Sequence, residues 1–137
     1  MRASPPEAAD TELLALARSA RERAYAPYSQ FFVGAALRAR DGRIFTGCNV
    51  ENASYSLSIC AERTALVSAV AAGARTFEAI AIVGAPGGGA LPPCGSCLQS
   101  LAEFGVDLRV VMEAADGAQA ISLAELLPFR FDRAALS

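Results

Sequence analysis

The stretch that decides the fold runs Ser58-Ile59-Cys60-Ala61-Glu62-Arg63-Thr64-Ala65-Leu66-Val67-Ser68-Ala69-Val70-Ala71-Ala72-Gly73. Strong helix formers follow Cys60, Ser58 is a good N-cap residue and Gly73 a good stop, so the spacing predicts a helix that opens beside a cysteine. A second stretch repeats the arrangement. Pro92-Pro93 precede Cys94-Gly95-Ser96-Cys97-Leu98-Gln99-Ser100-Leu101-Ala102-Glu103-Phe104, and Gly105 closes it. Two helix starts therefore carry Cys60, Cys94 and Cys97, and their positive dipole ends favour thiolate over thiol. Three sulfur ligands with a fourth position open is the donor set of a catalytic zinc. Glu62, in the first turn after Cys60, is placed to face the open position and move protons without being a ligand.

The rest of the chain supplies a frame for those helices. Residues 1–9 read as a flexible leader, and a helix capped at Asp10 or Thr11 presents Leu13, Leu14, Leu16, Ala17 and Ala20 on one face. Tyr25 to Ser29 is a turn around Pro27. Strands are expected over Phe32–Arg38 and Arg43–Val50, joined by the hairpin signal Asp41-Gly42. The run Glu78–Val83 is too apolar to face water on either side, which predicts an interior strand with helices over both faces. Gly84 to Leu91 is a glycine-rich loop; it lacks both a GxGxxG order and a Gly-Lys-Ser/Thr ending, which argues against a phosphate cradle. A strand over Leu108–Met112, a turn at Ala115-Asp116-Gly117 and a short helix from Ser122, stopped before Pro128, complete an αββαβαβα order. This is an α/β chain with right-handed crossovers between parallel strands.

Composition narrows the function. At 137 residues, 53% apolar and 19% charged, the chain fits one domain with a sizeable core, taken as residues 10–137. The net charge is −2 and all twelve basic residues are arginines, which leaves no basic stripe for phosphates, so nucleic acid is not an expected partner. The N-terminus lacks an apolar signal region and no window reaches membrane-spanning length, so a cytoplasmic, membrane-free protein is expected. Four cysteines in such a setting favour metal binding or catalysis over disulfides. Cys48, in the apolar context Ile44-Phe45-Thr46-Gly47-Cys48, reads as a small buried hydrophobe.

The pattern Cys-x-Glu followed by Pro-Cys-x-x-Cys is shared by zinc deaminases. Around it, Tyr25-Ala26-Pro27-Tyr28-Ser29, Phe31 to Leu37, Gly47-Cys48-Asn49-Val50-Glu51-Asn52-Ala53-Ser54-Tyr55 and Cys60 to Ala65 resemble the small homotetrameric cytidine deaminases. The resemblance spans roughly residues 10 to 131. It implies a three-layer α/β/α sandwich around a mixed, mainly five-stranded sheet, the fifth strand lying near Ala118 to Ile121. It further implies one zinc ion per subunit on Cys60, Cys94 and Cys97, and hydrolytic deamination of cytidine and deoxycytidine with Glu62 as proton shuttle. Under the same resemblance Asn49 and Glu51 would hydrogen-bond the ribose, Phe31 would pack on the pyrimidine, and Ala61 would offer backbone contacts to the base. Tyr55 and Phe131 would reach a neighbouring subunit's pocket, in a homotetramer with shared active sites.

Three thiolates and one Zn²⁺ carry a net negative charge, which Arg63 is placed to offset by donating to a ligand sulfur. The family usually carries an arginine directly after the last ligand, and here that residue is Leu98. Competing readings give each residue a blander role: Cys48 completing a structural four-cysteine site, Phe31 as core, Asn49 and Glu51 as a polar strand end. At the level of function the alternatives are a deaminase of a modified cytosine nucleoside and a zinc-stabilised interaction domain.

Overall fold

The computed structural model describes residues 3–136 apart from 114 and 116. Its elements are α1 (Ala8–Arg21), β1 (Gly34–Ala39), β2 (Ile44–Cys48), α2 (Ala61–Ala71), β3 (Phe77–Val83), α3 (Gly95–Ala102), β4 (Arg109–Met112), β5 (Gln119–Ser122) and α4 (Leu123–Leu126), with single 3-10 turns at Tyr55–Leu57 and Arg133–Leu136. The five strands form one sheet in the order β2-β1-β3-β4-β5. Only β3 and β4 run parallel, and α3 lies in the connection between them. The expected fifth strand is present as β5.

Alternation along the strands sorts side chains into two cores. Leu37, Ile80, Ile82 and Val110 point to one face, where they pack with Ala61, Ala65, Leu66 and Leu101 of α2 and α3. Ala36, Ala79, Ala81 and Val111 point to the other and meet Leu13, Leu14 and Ala17 of α1. Each large aliphatic side chain so enclosed contributes on the order of 1.5–3 kcal/mol. The result is the expected three-layer sandwich, with the metal-ligand helices together on one side.

Two glycines set how closely the helices approach. A Cβ on Gly47 would lie 2.4 Å from the Ala65 nitrogen and 2.5 Å from the Ala61 carbonyl oxygen. One on Gly34 would lie 2.0 Å from the Ala17 oxygen. Helix α2 thus starts flush against β2, and α1 crosses flush against β1, because neither glycine carries a side chain there.

Several boundaries differ from expectation for identifiable reasons. Helix α1 begins at Ala8, because Asp10 sits one turn inside and accepts a hydrogen bond from the Glu7 backbone N–H at 2.6 Å instead of being the cap itself. The leader is tied down at Ser4, which exchanges backbone hydrogen bonds of 2.7 and 2.8 Å with Ala120 on β5. Strands β1 and β2 are shorter than the alternation suggested. The Asn49 side chain accepts from the Val33 N–H at 2.8 Å and donates to the Phe31 carbonyl at 2.7 Å, so that beyond one last backbone bond, Asn49 N–H to the Val33 carbonyl at 3.3 Å, side-chain bonds take over from the ladder. The turn expected at Ala115-Asp116-Gly117 lies partly outside the described residues.

Candidate metal centre and active site

Helix starts make the site. Cys60 and Cys94 are themselves the N-cap residues of α2 and α3, with extended backbones (φ −71°, ψ 155° and φ −67°, ψ 169°) and no side-chain cap hydrogen bond. Ser58, expected as the cap of α2, instead ends the preceding 3-10 turn, and its hydroxyl accepts from the Asn52 N–H at 3.1 Å. An N-cap side chain normally turns back onto its helix. Here both sulfurs are free to point elsewhere, and they point at each other.

The three Sγ atoms lie within 4.8 Å of one another. Cys60 to Cys94 is 3.9 Å and Cys94 to Cys97 is 3.5 Å. Tetrahedral zinc with Zn–S bonds of about 2.3 Å requires sulfurs about 3.8 Å apart, so these cysteines fit that ion. Cys48 sits in β2, outside this cluster. Among the described residues the donor set is therefore three sulfurs with a position left open, and the four-cysteine structural reading does not fit the geometry.

The charges behave as a cluster that wants a cation. Hydrogen bonding from Cys97, with the Arg63 guanidinium adding to it, draws the Cys60 thiol down to about 5 against the effect of burial. The same hydrogen bond, together with burial, pushes Cys97 up. One sulfur ionises and its neighbour holds the proton; a dication would release it. Arg63 Nη2 stands 3.9 Å from the Cys60 Sγ, the contact expected of it. Leu98 is buried in the core beside α2 and supplies no charge.

Glu62 is only 5% exposed. Burial pushes its carboxyl up to about 7, the Cys60 charge adds to the rise, and its own backbone N–H and Arg63 pull the other way. A carboxyl with that affinity exchanges protons near neutral pH.

A cavity of about 210 Å³ opens onto these groups, lined by Phe31, Val33, Asn49, Cys60, Ala61, Glu62, Leu91, Pro92 and Cys94. Phe31, Asn49 and Ala61 were expected there. Glu51 and Tyr55 instead line a neighbouring groove of about 320 Å³ with Tyr28, Ser29 and Ser58. The Glu51 carboxylate accepts from the Tyr28 and Ser29 backbone N–H groups at 3.0 and 3.1 Å and from the Ser29 hydroxyl, which holds its pKa down. Phe131, 61% exposed, lies on the C-terminal segment, where its carbonyl accepts from Gln99 Nε2 at 2.7 Å. Val33, Leu91 and Pro92 were missed by reading the sequence. For Leu91 and Pro92 a signal existed: the residues leading into a ligand helix must border the metal.

An open three-sulfur site with a buried carboxyl two residues past the first ligand defines a zinc-dependent hydrolytic enzyme of the deaminase type. The chain belongs to the family defined by the cytidine and deoxycytidylate deaminase zinc-binding region, whose model matches residues 7–114. It is 47% identical over 128 residues to the cytidine deaminase of Sporosarcina psychrophila, covering 92% of this chain and 93% of that one. The cytidine deaminase of Halalkalibacterium halodurans is 49% identical over 121 residues, 87% of this chain and 91% of the other. Among solved structures, cytidine deaminase from Burkholderia pseudomallei superposes with a TM-score of 0.83 at 52% identity, over 88% of this chain and 98% of that one. The Mycobacterium tuberculosis enzyme gives 0.81 at 39% identity, over 91% and 98%.

Proposed function

We propose that this chain, acting as a single catalytic domain, hydrolyses cytidine and deoxycytidine to uridine and deoxyuridine in pyrimidine salvage. The observation that carries the proposal is the convergence of three sulfurs at zinc spacing and the buried Glu62 on one small cavity. Zinc, when bound to Cys60, Cys94 and Cys97, supplies the Lewis-acid charge that makes water acidic near neutral pH.

The chain's own groups do the rest. Glu62 takes a proton from the attacking water and gives it to ring nitrogen N3 as oxygen adds at C4; it then takes the remaining proton of the added hydroxyl and passes it to the amine, so that the C4–N bond breaks, ammonia leaves and the C4 carbonyl forms. Phe31 packs on the pyrimidine and the Ala61 backbone, at the start of α2, contacts the base. Asn49 uses one acceptor and one donor position on the Val33 and Phe31 backbone, so its remaining amide hydrogen and lone pair serve the ribose. Glu51, in the adjoining groove, completes the sugar end and holds the loop that carries Phe31.

The same reading gives a homotetramer with active sites shared between subunits. Tyr55 and Phe131 support it, being 75% and 61% exposed; Tyr55 meets Tyr28 edge-on at 5.9 Å between ring centroids, and most of both side chains is left for a neighbouring subunit to cover. The working compartment is the cytoplasm; no helix among the described residues is long and apolar enough to cross a membrane. The test is loss of the cytosine ultraviolet absorbance when purified protein meets cytidine or deoxycytidine. Absence of turnover in protein carrying one zinc per chain would refute the proposal.

A further inference from the structure

Cytosine has two chemically different edges. N3 and O2 need hydrogen-bonding partners, whereas C5–H and C6–H need only apolar surface. Both N3 and C5 flank C4, the reacting carbon. With the base bound for deamination, the N3 edge faces Glu62, which must protonate it, and the C5 edge faces away from it. The polar contributors to the cavity are Glu62, Asn49 and the cysteines; Leu91 and Pro92, directly before the ligand helix, contribute apolar surface.

Leu91 is held in that wall from behind. It is partly buried against the larger core. A Cβ on Gly84 would come within 2.9 Å of Leu91 Cδ2 and 3.8 Å of Phe31 Cζ, so the bare Gly84 backbone is where Leu91 and Phe31 meet. Gly84 is itself fixed, since its carbonyl accepts a hydrogen bond from Arg21 Nη1 at the end of α1. The glycine-rich loop is thus anchored at its start, and the Gly84 backbone supports the Leu91 side chain, which lines the cavity at the loop's other end.

We propose that Leu91 is a specificity-determining residue that closes the cavity against the C5 edge of the pyrimidine and sets the size of the C5 substituent the enzyme accepts. The inference rests on the deaminase reading of the cavity. Shortening Leu91 opens room beside C5 without touching the zinc ligands, Glu62 or the sugar-binding groups.

The experiment compares cytidine with 5-bromocytidine in wild type, Leu91→Ala and Leu91→Phe. The ratio of kcat/KM for 5-bromocytidine over cytidine should rise about tenfold in Leu91→Ala, the usual value of a pocket's fit to one added group, and fall in Leu91→Phe. Binding of the products provides a readout independent of turnover: the Kd ratio of 5-bromouridine to uridine, by calorimetry, should move in the same directions. Leu91→Val, which keeps a branched side chain, should lie between wild type and Leu91→Ala. Ratios unchanged across the variants, with wild type turning over cytidine normally, overturn this inference alone. A wild-type protein that holds zinc and neither binds uridine nor deaminates cytidine overturns the underlying function instead.

Discussion

The two faces of the sheet are built alike and used differently. Each has a glycine that lets a helix lie flush on a strand, Gly34 under α1 and Gly47 under α2. Each also buries charged side chains. On the α1 face Asp10 is met by Arg109 Nη2 at 2.5 Å, and Arg38 donates to the Ala9 carbonyl at 2.7 Å and pairs with Glu78 at 3.4 Å. On the α2 face Glu62 is as deeply buried, yet none of the ion pairs among the described residues involves it. Its proton affinity rises instead. A buried charge that is paired holds a fold together; Glu62, held in no such pair, is the carboxyl to which we assign the chemistry.

The largest expected effect comes from removing that carboxyl. Glu62→Gln should lower kcat by about 10²–10⁴-fold, the range of general acid–base catalysis, while zinc stays at one per chain. A variant with wild-type turnover would break the contrast between the faces.

The glycines sharpen it next. Gly47→Ala and Gly34→Ala should each destabilise the chain by about 2–3 kcal/mol in urea unfolding, because each methyl meets helix backbone that cannot step aside. Only Gly47→Ala should also weaken zinc binding in chelator competition, since α2 carries a ligand at its start and α1 carries none. Equal zinc affinities in the two variants would show that the α2 start is not what places Cys60.

The pH dependence of the metal-free chain is the smallest effect and the one with opposing parts. Glu62 binds its proton up to about 7 in the fold, against an ordinary 4.5. The folded state therefore holds more protons than the unfolded one between those values, and stability falls as pH rises through that window. Cys60 loses its proton near 5 in the fold against an ordinary 9.0, so its contribution rises with pH from about 5 to 9. The two slopes oppose each other from pH 5 to 7, and a net rise is expected from 7 to 9. In metal-free Glu62→Gln the rise should begin near pH 5. Urea midpoints at half-unit pH steps measure this, and an unchanged profile in the variant would contradict the assignment.

Much of the site was legible because its signals are local. Cysteine spacing, helix formers after Cys60 and the prolines before Cys94 fix ligands and helix starts within short stretches, and the apolar run over residues 78–83 marks the interior strand. What was not legible depends on contacts distant in sequence. Asn49 was expected to reach the ribose or to be a polar strand end; that its side chain also bonds backbone 16 and 18 residues away depends on contacts the local sequence does not show. Ser58 was expected to cap α2, but caps are chosen by where the neighbouring side chain must point, and Cys60 must point at two other sulfurs. Leu91 looked like the end of a linker, because its partners, Gly84 and Phe31, come together only once α1 and β3 are packed.

Whether a zinc is held by three sulfurs with one place open is decided by zinc K-edge absorption of the purified protein. One zinc per chain is expected, with three sulfur neighbours at about 2.3 Å and a single oxygen or nitrogen at about 2.0 Å. A shell of four sulfurs, or well-folded protein that takes up no zinc, would contradict it.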